Sequence, residues 1–171
     1  SYNYTTDTGY LYVDLISPSS YTIRYNADGY NLNTYIFTLV NQSTNAITLY
    51  LSNSTDATVV TATVIDENAN TVEGALIKVF VEDSTNPSSY VLSEMCATNF
   101  EGLCEVSIFL SSKNYYFIIE YPSGVVKKIT NPTYVYDDTI SFQIILGTLA
   151  GSSYDVFNNI YSEMFFVDGG N

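Results

Sequence analysis

Apolar and polar residues alternate with the two-residue period of half-buried β-strands in several runs of this chain. The clearest run covers residues 57–83, ATVVTATVIDENANTVEGALIKVFVED. Val60, Ala62 and Val64 alternate, DENAN supplies turn chemistry, and Ala75, Ile77, Val79 and Val81 alternate again, which predicts a hairpin of strand, turn and strand. Two further strands are expected in YVLSEMC and GLCEVSIFL, joined by the turn ATNFEG. Tyr10, Tyr12, Tyr21, Tyr25, Tyr35 and Tyr50 are also placed on strands, where an aromatic ring contributes apolar area and its hydroxyl finds a partner.

The chain also repeats itself. TTDTGYLYVDLI (5–16) matches ATNFEGLCEVSIF (97–109): each has a Thr, a Gly four residues later, then an alternating strand. SSYTIRYNADGY (19–30) matches KNYYFIIEYPSG (113–124), and NAITLYL (45–51) matches DTISFQIIL (138–146). Three matched segments in one order, with comparable spacing, predict two related modules. The hairpin of 57–83 has no counterpart in the first copy, so that module begins in the middle of its repeat.

The order V-x-A-x-V-x-D-E-N, V-E-G-A-x-I-x-V, T-x-x-x-G-L-x-x-V and Y-x-F-x-I-E-Y-P-S-G resembles carboxypeptidase-regulatory-like and collagen-adhesin B-type repeats. It covers about residues 58–146 well and 4–51 as a partial copy. The resemblance implies an all-β fold of prealbumin-like, Ig-like β-sandwich modules; with the repeat, two are expected, the first incomplete at its N-terminus and completed by strands from the C-terminus or a neighbouring subunit. The expected organisation is 1–56 as the partial module, 57–148 as the complete one, and 149–171 as a C-terminal extension with possible donor strands. Such modules act as spacers and stiff segments of surface proteins, a role that fold alone does not fix. Some relatives carry a Lys-Asn isopeptide bond. Here Lys78 is expected to face outward with Leu76 and Phe80, away from Ala75, Ile77, Val79 and Val81, which disfavours a buried isopeptide.

Composition narrows the function further. Lys+Arg total 5 against Asp+Glu 18, a net charge of -13, so there is no basic stripe to displace counterions from a phosphate backbone and nucleic acid is not an expected partner. His and Trp are absent, which removes the commonest general base, the commonest transition-metal ligand and the usual sugar-stacking platform. No enzyme activity and no cofactor are expected. Charged residues make up only 13%, and 17 Tyr stand among abundant Ser, Thr and Asn, a composition expected at a cell surface, in a secreted filament or on a virion. No apolar run approaches the length of a membrane span, and no signal segment opens the chain. Because Ser1 stands where Met would, a leader or a longer N-terminal region is expected to have been removed.

Cys96 and Cys104 are the two cysteines. Flanking a turn, they are expected to face each other across a ladder as a structural disulfide, with buried thiols as the alternative; their spacing and the lack of His make a poor redox or zinc site. The sequons at Asn3, Asn41 and Asn53 are possible N-glycosylation sites. Asp66, Glu67, Asn68 and Asn70 cluster in one turn and Asp137 and Asp138 in another, but neither has EF-hand spacing, so both read as solvated turns and no metal site is expected.

The unequal ends supply the functional expectation. A sandwich of this type has about seven strands, while residues 1–51 offer about four or five. Residues 154–167, YDVFNNIYSEMFFV, hold two strand-like runs around Asn158 and Asn159, a pair suited to a tight hairpin. Tyr154, Val156, Phe157, Ile160, Met164, Phe165, Phe166 and Val167 are the candidate inter-subunit strand residues. The expected function is an extracellular structural protein that joins copies of itself head-to-tail by strand complementation. The alternative is an adhesin or virion-surface module that recognises a glycan or protein receptor.

Overall fold

The computed structural model describes residues 3–15, 19–39 and 46–147, and no described residue is helical. The strands are β1 (Ser19–Tyr25), β2 (Asn33–Leu39), β3 (Thr58–Ile65), β4 (Leu76–Glu82), β5 (Tyr90–Ala97), β6 (Leu103–Ile108), β7 (Asn114–Glu120), β8 (Val126–Ile129), β9 (Thr133–Tyr134) and β10 (Thr139–Gln143). Strands β3 to β10 form a sandwich. One sheet has the order β10-β3-β6, with β10 parallel and β6 antiparallel to β3. The other has the order β5-β4-β7-β8, all antiparallel, with β9 beside the start of β7. The inward positions of the alternation meet between the sheets: Val60, Ala62 and Val64 from β3, Ile77 and Val79 from β4, Val106 and Ile108 from β6, Phe117 and Ile119 from β7. Burial of such side chains, about 25 cal/mol per Å² of apolar area, is the main force holding the layers together.

The segment 57–83 forms its two strands, but they are not a hairpin. β3 and β4 lie in different sheets, because the turn at Asp66 and the crossing through Val72 to Ala75 carry the chain over the core. Thr98 fixes this crossing: its hydroxyl donates to the Val72 carbonyl (2.6 Å) and accepts the Ala75 amide (2.9 Å). β5 and β6 are split between the sheets in the same way. Cys96 and Cys104 therefore do not face each other across a ladder. They are joined by a disulfide that ties one sheet to the other, with Cα atoms 6.0 Å apart.

The first 56 residues depart most from expectation. In place of four or five strands, the described residues there form only the antiparallel pair β1–β2. Tyr10, Tyr12 and Tyr50 are not on strands, and Tyr10 and Tyr12 are 84% and 94% exposed. A strand-like sequence becomes a strand only when another backbone satisfies its N–H and C=O groups, and no described segment pairs in a ladder with 10–15 or 46–51. The β1–β2 pair packs beside the outer face of the five-stranded sheet, near β5. Lys78 does lie off the core, but Leu76, expected to be outward, is buried on that face.

Candidate interaction surface

The β1–β2 pair is held to the sandwich at the seam between β5 and β6 by buried polar groups. Asn33, which opens β2, is fully buried, and its Oδ1 accepts the Ser107 hydroxyl at 3.1 Å while its Nδ2 donates to the Tyr50 carbonyl at 3.2 Å. Glu94 points inward from β5 with the parity of Cys96 and is 3% exposed. Its two oxygens accept the amides of Ser107 (2.8 Å) and Thr34 (3.4 Å), so one carboxyl bridges β6 and β2. The Tyr25 hydroxyl donates to the Ser93 carbonyl at 3.2 Å. Further back, Asn31 donates to Ser52 and Ala57 carbonyls, and Ser54 donates to Gly29.

The electrostatics follow from burial. Desolvation pushes the Glu94 carboxyl up to about 7, more than its two amide donors pull it down. Burial, with the Glu94 charge nearby, also raises the Tyr25 phenol to about 12, and burial raises Tyr115 to about 12. The ion pair among the described residues lies elsewhere: Lys78 with Glu120, whose other oxygen accepts the Gly124 amide at 2.9 Å. This pair sits in a cleft of about 300 Å³ between the β1–β2 pair and the five-stranded sheet, lined also by Tyr35, Phe37, Leu92 and Met95. The Lys78 amine is thus engaged by a carboxylate.

The other expected site residues are dispersed. Asn3 is exposed, and Asn53 lies in a turn where its side-chain oxygen accepts the Thr55 amide. Asn41 and the residues 154–167, with Tyr154, Val156, Phe157, Ile160, Met164, Phe165, Phe166 and Val167, lie outside the described residues. Asp66 Oδ1 accepts the amides of Asn68 and Asn70, both at 2.8 Å, and Oδ2 accepts the Asn70 side-chain amide, which holds the carboxyl below its ordinary range. Glu67 accepts the Leu146 amide and so ties this turn to the end of the sandwich. Asp66 thus serves the turn itself, and Glu67 its link to the segment after β10. Asp137 and Asp138 sit apart from them in the approach to β10.

Sequence reasoning missed the Glu94–Asn33–Ser107 group. Glu94 had a signal, a charge at an inward position of the otherwise uncharged YVLSEMC. Asn33 had none, because it looks like any other Asn in a chain rich in them. On the outer face of the five-stranded sheet, Phe80 stacks on Tyr116 (centroids 4.5 Å) and Tyr90 meets Tyr116 edge-on (5.2 Å). Exposed Tyr134 and Tyr136 lie at the β9 side of the same sheet.

No family model and no curated protein matches the chain, so the resemblance to the carboxypeptidase-regulatory-like and collagen-adhesin repeats has no matching family model. Two solved structures are similar in part. A 9R-lipoxygenase from Cyanothece PCC8801 is 14% identical over 60% of this chain and 18% of that chain, with a TM-score of 0.36. A streptococcal ancillary pilin is 17% identical over 76% of this chain and 45% of that chain, with a TM-score of 0.38. The chain spans less than half the length of either.

Proposed function

We propose that this chain is an extracellular structural protein that assembles head-to-tail into a filament or stalk by strand addition between copies, and that it performs no catalysis. The observation that carries the reading is the condition of the first 56 residues: one two-stranded pair is formed, while the strand-like segments on either side of it have no ladder among the described residues. Unpaired strand edges take up strands from other chains. The alternating run 154–167 is the donor in this reading, and the first segment is a partial module that it completes. The inter-sheet disulfide and the low charge content support an oxidising, extracellular setting.

Electron microscopy of the native protein, with its mass in solution, tests this. Regular fibres are expected, and deletion of residues 152–171 is expected to leave monomers; fibres that survive the deletion would refute the donor role. A second reading, a binding module for a glycan or protein receptor, is favoured by the aromatic row Tyr90, Phe80 and Tyr116 on the outer sheet face. A monomer that binds a glycan array through this face would support that reading instead.

A further inference from the structure

The described part of the first 56 residues repeats local features of the sandwich, and the repeat shows which strand position lacks an occupant. Gly9 and Gly102 open the matched segments, and both have left-handed backbones, φ 76° and 72°. From these glycines, Leu11, Val13 and Leu15 match Cys104, Val106 and Ile108, the inward residues of β6. Val106 and Ile108 are at most 1% exposed, but Leu11 and Val13 are 50% and 36% exposed. The pair β1–β2 matches β7–β8: both are antiparallel, and both first strands run into a turn with a left-handed glycine, Gly29 and Gly124. Residues 46–51 match 139–144, so Ile47 and Leu49 stand where β10 places Ile140 and Phe142.

In the sandwich, β6 and β10 are the two neighbours of β3. In the first segment, the equivalents of β6 and β10 are the two stretches with no ladder, whereas the equivalent of β7–β8, strands that share no ladder with β3, is formed. The missing contacts therefore coincide with one absent strand.

Resting on the head-to-tail reading, we infer that residues 160–167 of a second copy occupy the β3-equivalent position, antiparallel to 10–15 and parallel to 46–51. These directions are those that β3 itself keeps toward β6 and β10. The run has the eight-residue length of β3. With a period of two, Ile160, Met164 and Phe166, interrupted by Ser162, share one face to meet Leu11, Val13, Ile47 and Leu49, and Tyr161, Glu163, Phe165 and Val167 share the other. Among the described residues every strand of the sandwich already has its ladder, so the occupant must come from outside them.

Cysteine cross-linking of the full chain tests the placement. Both native cysteines are held in the disulfide, so an added one reports alone. Chains with Tyr12→Cys are mixed under native, mildly oxidising conditions with chains carrying one cysteine at each position from 160 to 167. Cross-strand neighbours have Cα atoms about 5 Å apart, within disulfide reach. Dimers are expected to peak at one position, the residue opposite Tyr12 on the face of Tyr161, Glu163 and Phe165, and none are expected with Tyr136→Cys, which lies on the sandwich. Val13→Pro, which removes a ladder amide from an exposed segment, is expected to abolish fibres without moving the sandwich's unfolding midpoint. Fibres that persist with no cross-link to Tyr12→Cys overturn the placement while leaving head-to-tail assembly standing. A cross-link that forms only within doubly substituted chains, which stay monomeric, overturns delivery from a second copy and the head-to-tail reading with it.

Discussion

Replacing Glu94 by Gln should change the sign of its effect on stability as pH rises. The folded carboxyl titrates at about 7 and an ordinary Glu at 4.5, so the folded state binds the proton more tightly. Stability from this group is then fully present below pH 4.5 and is lost as pH rises toward 7. The gap between 4.5 and about 7 corresponds to about 3 kcal/mol at 1.36 kcal/mol per pH unit. Gln can still accept the Ser107 amide, but its NH₂ then faces the Thr34 amide, which costs about 1 kcal/mol at every pH. The variant should therefore be about 1 kcal/mol less stable than wild type at pH 4 and about 2 kcal/mol more stable at pH 8. Urea unfolding followed by tyrosine fluorescence at pH 4, 6 and 8 reads this directly. The other carboxylates cancel in the wild-type minus variant difference. Parallel stability curves, or a difference that runs in the opposite direction, would show that Glu94 is not desolvated at the seam.

Two further perturbations address the sandwich itself. A Cβ at Gly102 would lie 2.8 Å from the Val64 carbonyl and 3.0 Å from Thr71 Cβ, on a residue with φ 72°, whereas Gly74 has φ 75° with nothing within 4 Å. Thermal unfolding should show Gly102→Ala costing about 3 kcal/mol and Gly74→Ala about 1 kcal/mol; equal costs would refute the close packing. Replacing both Cys96 and Cys104 by Ala should lower the unfolding free energy by about 2 to 3 kcal/mol, since a short loop is no longer closed in the unfolded chain. A midpoint that does not move in the double variant, or on adding reductant to wild type, would refute it.

Alternation alone was enough to place the inward residues of β3 and β4, because a side chain on a strand has only two faces to choose from. The same pattern says nothing about which sheet a strand joins. Two consecutive strands read alike whether a turn folds them into a hairpin or carries them over the core, and here Thr98 and the turn at Asp66 decide in favour of crossing. That is why the disulfide joins sheets where a cross-ladder bond was expected. Tyr10 and Tyr12 show the opposite limit. Their segment has a strand's sequence, and its repeat partner is β6, yet it forms no ladder among the described residues, since pairing depends on a neighbour that the segment cannot specify by itself.

The buried seam gives the unpaired segment its mechanical setting. A two-stranded pair is at best marginally stable alone, so β1–β2 depends on docking to the sandwich for its order. An apolar contact would supply docking energy without fixing a position along β5. Asn33, Ser107 and Glu94 fix it, because a shift of one residue would leave a buried amide or carboxyl without a partner, at about 1 to 3 kcal/mol each. Residues 10–15 and 46–51 flank the pair in sequence, so a pair held in one register constrains the strand edge that they offer. The same group makes that edge sensitive to its anchor: above about pH 7, where Glu94 is ionised without a cation bonded to it, the docking is weakest. Assembly that depends on the first segment should accordingly strengthen as pH falls from 8 toward 5, and Glu94→Gln should flatten that dependence without removing the strand edge.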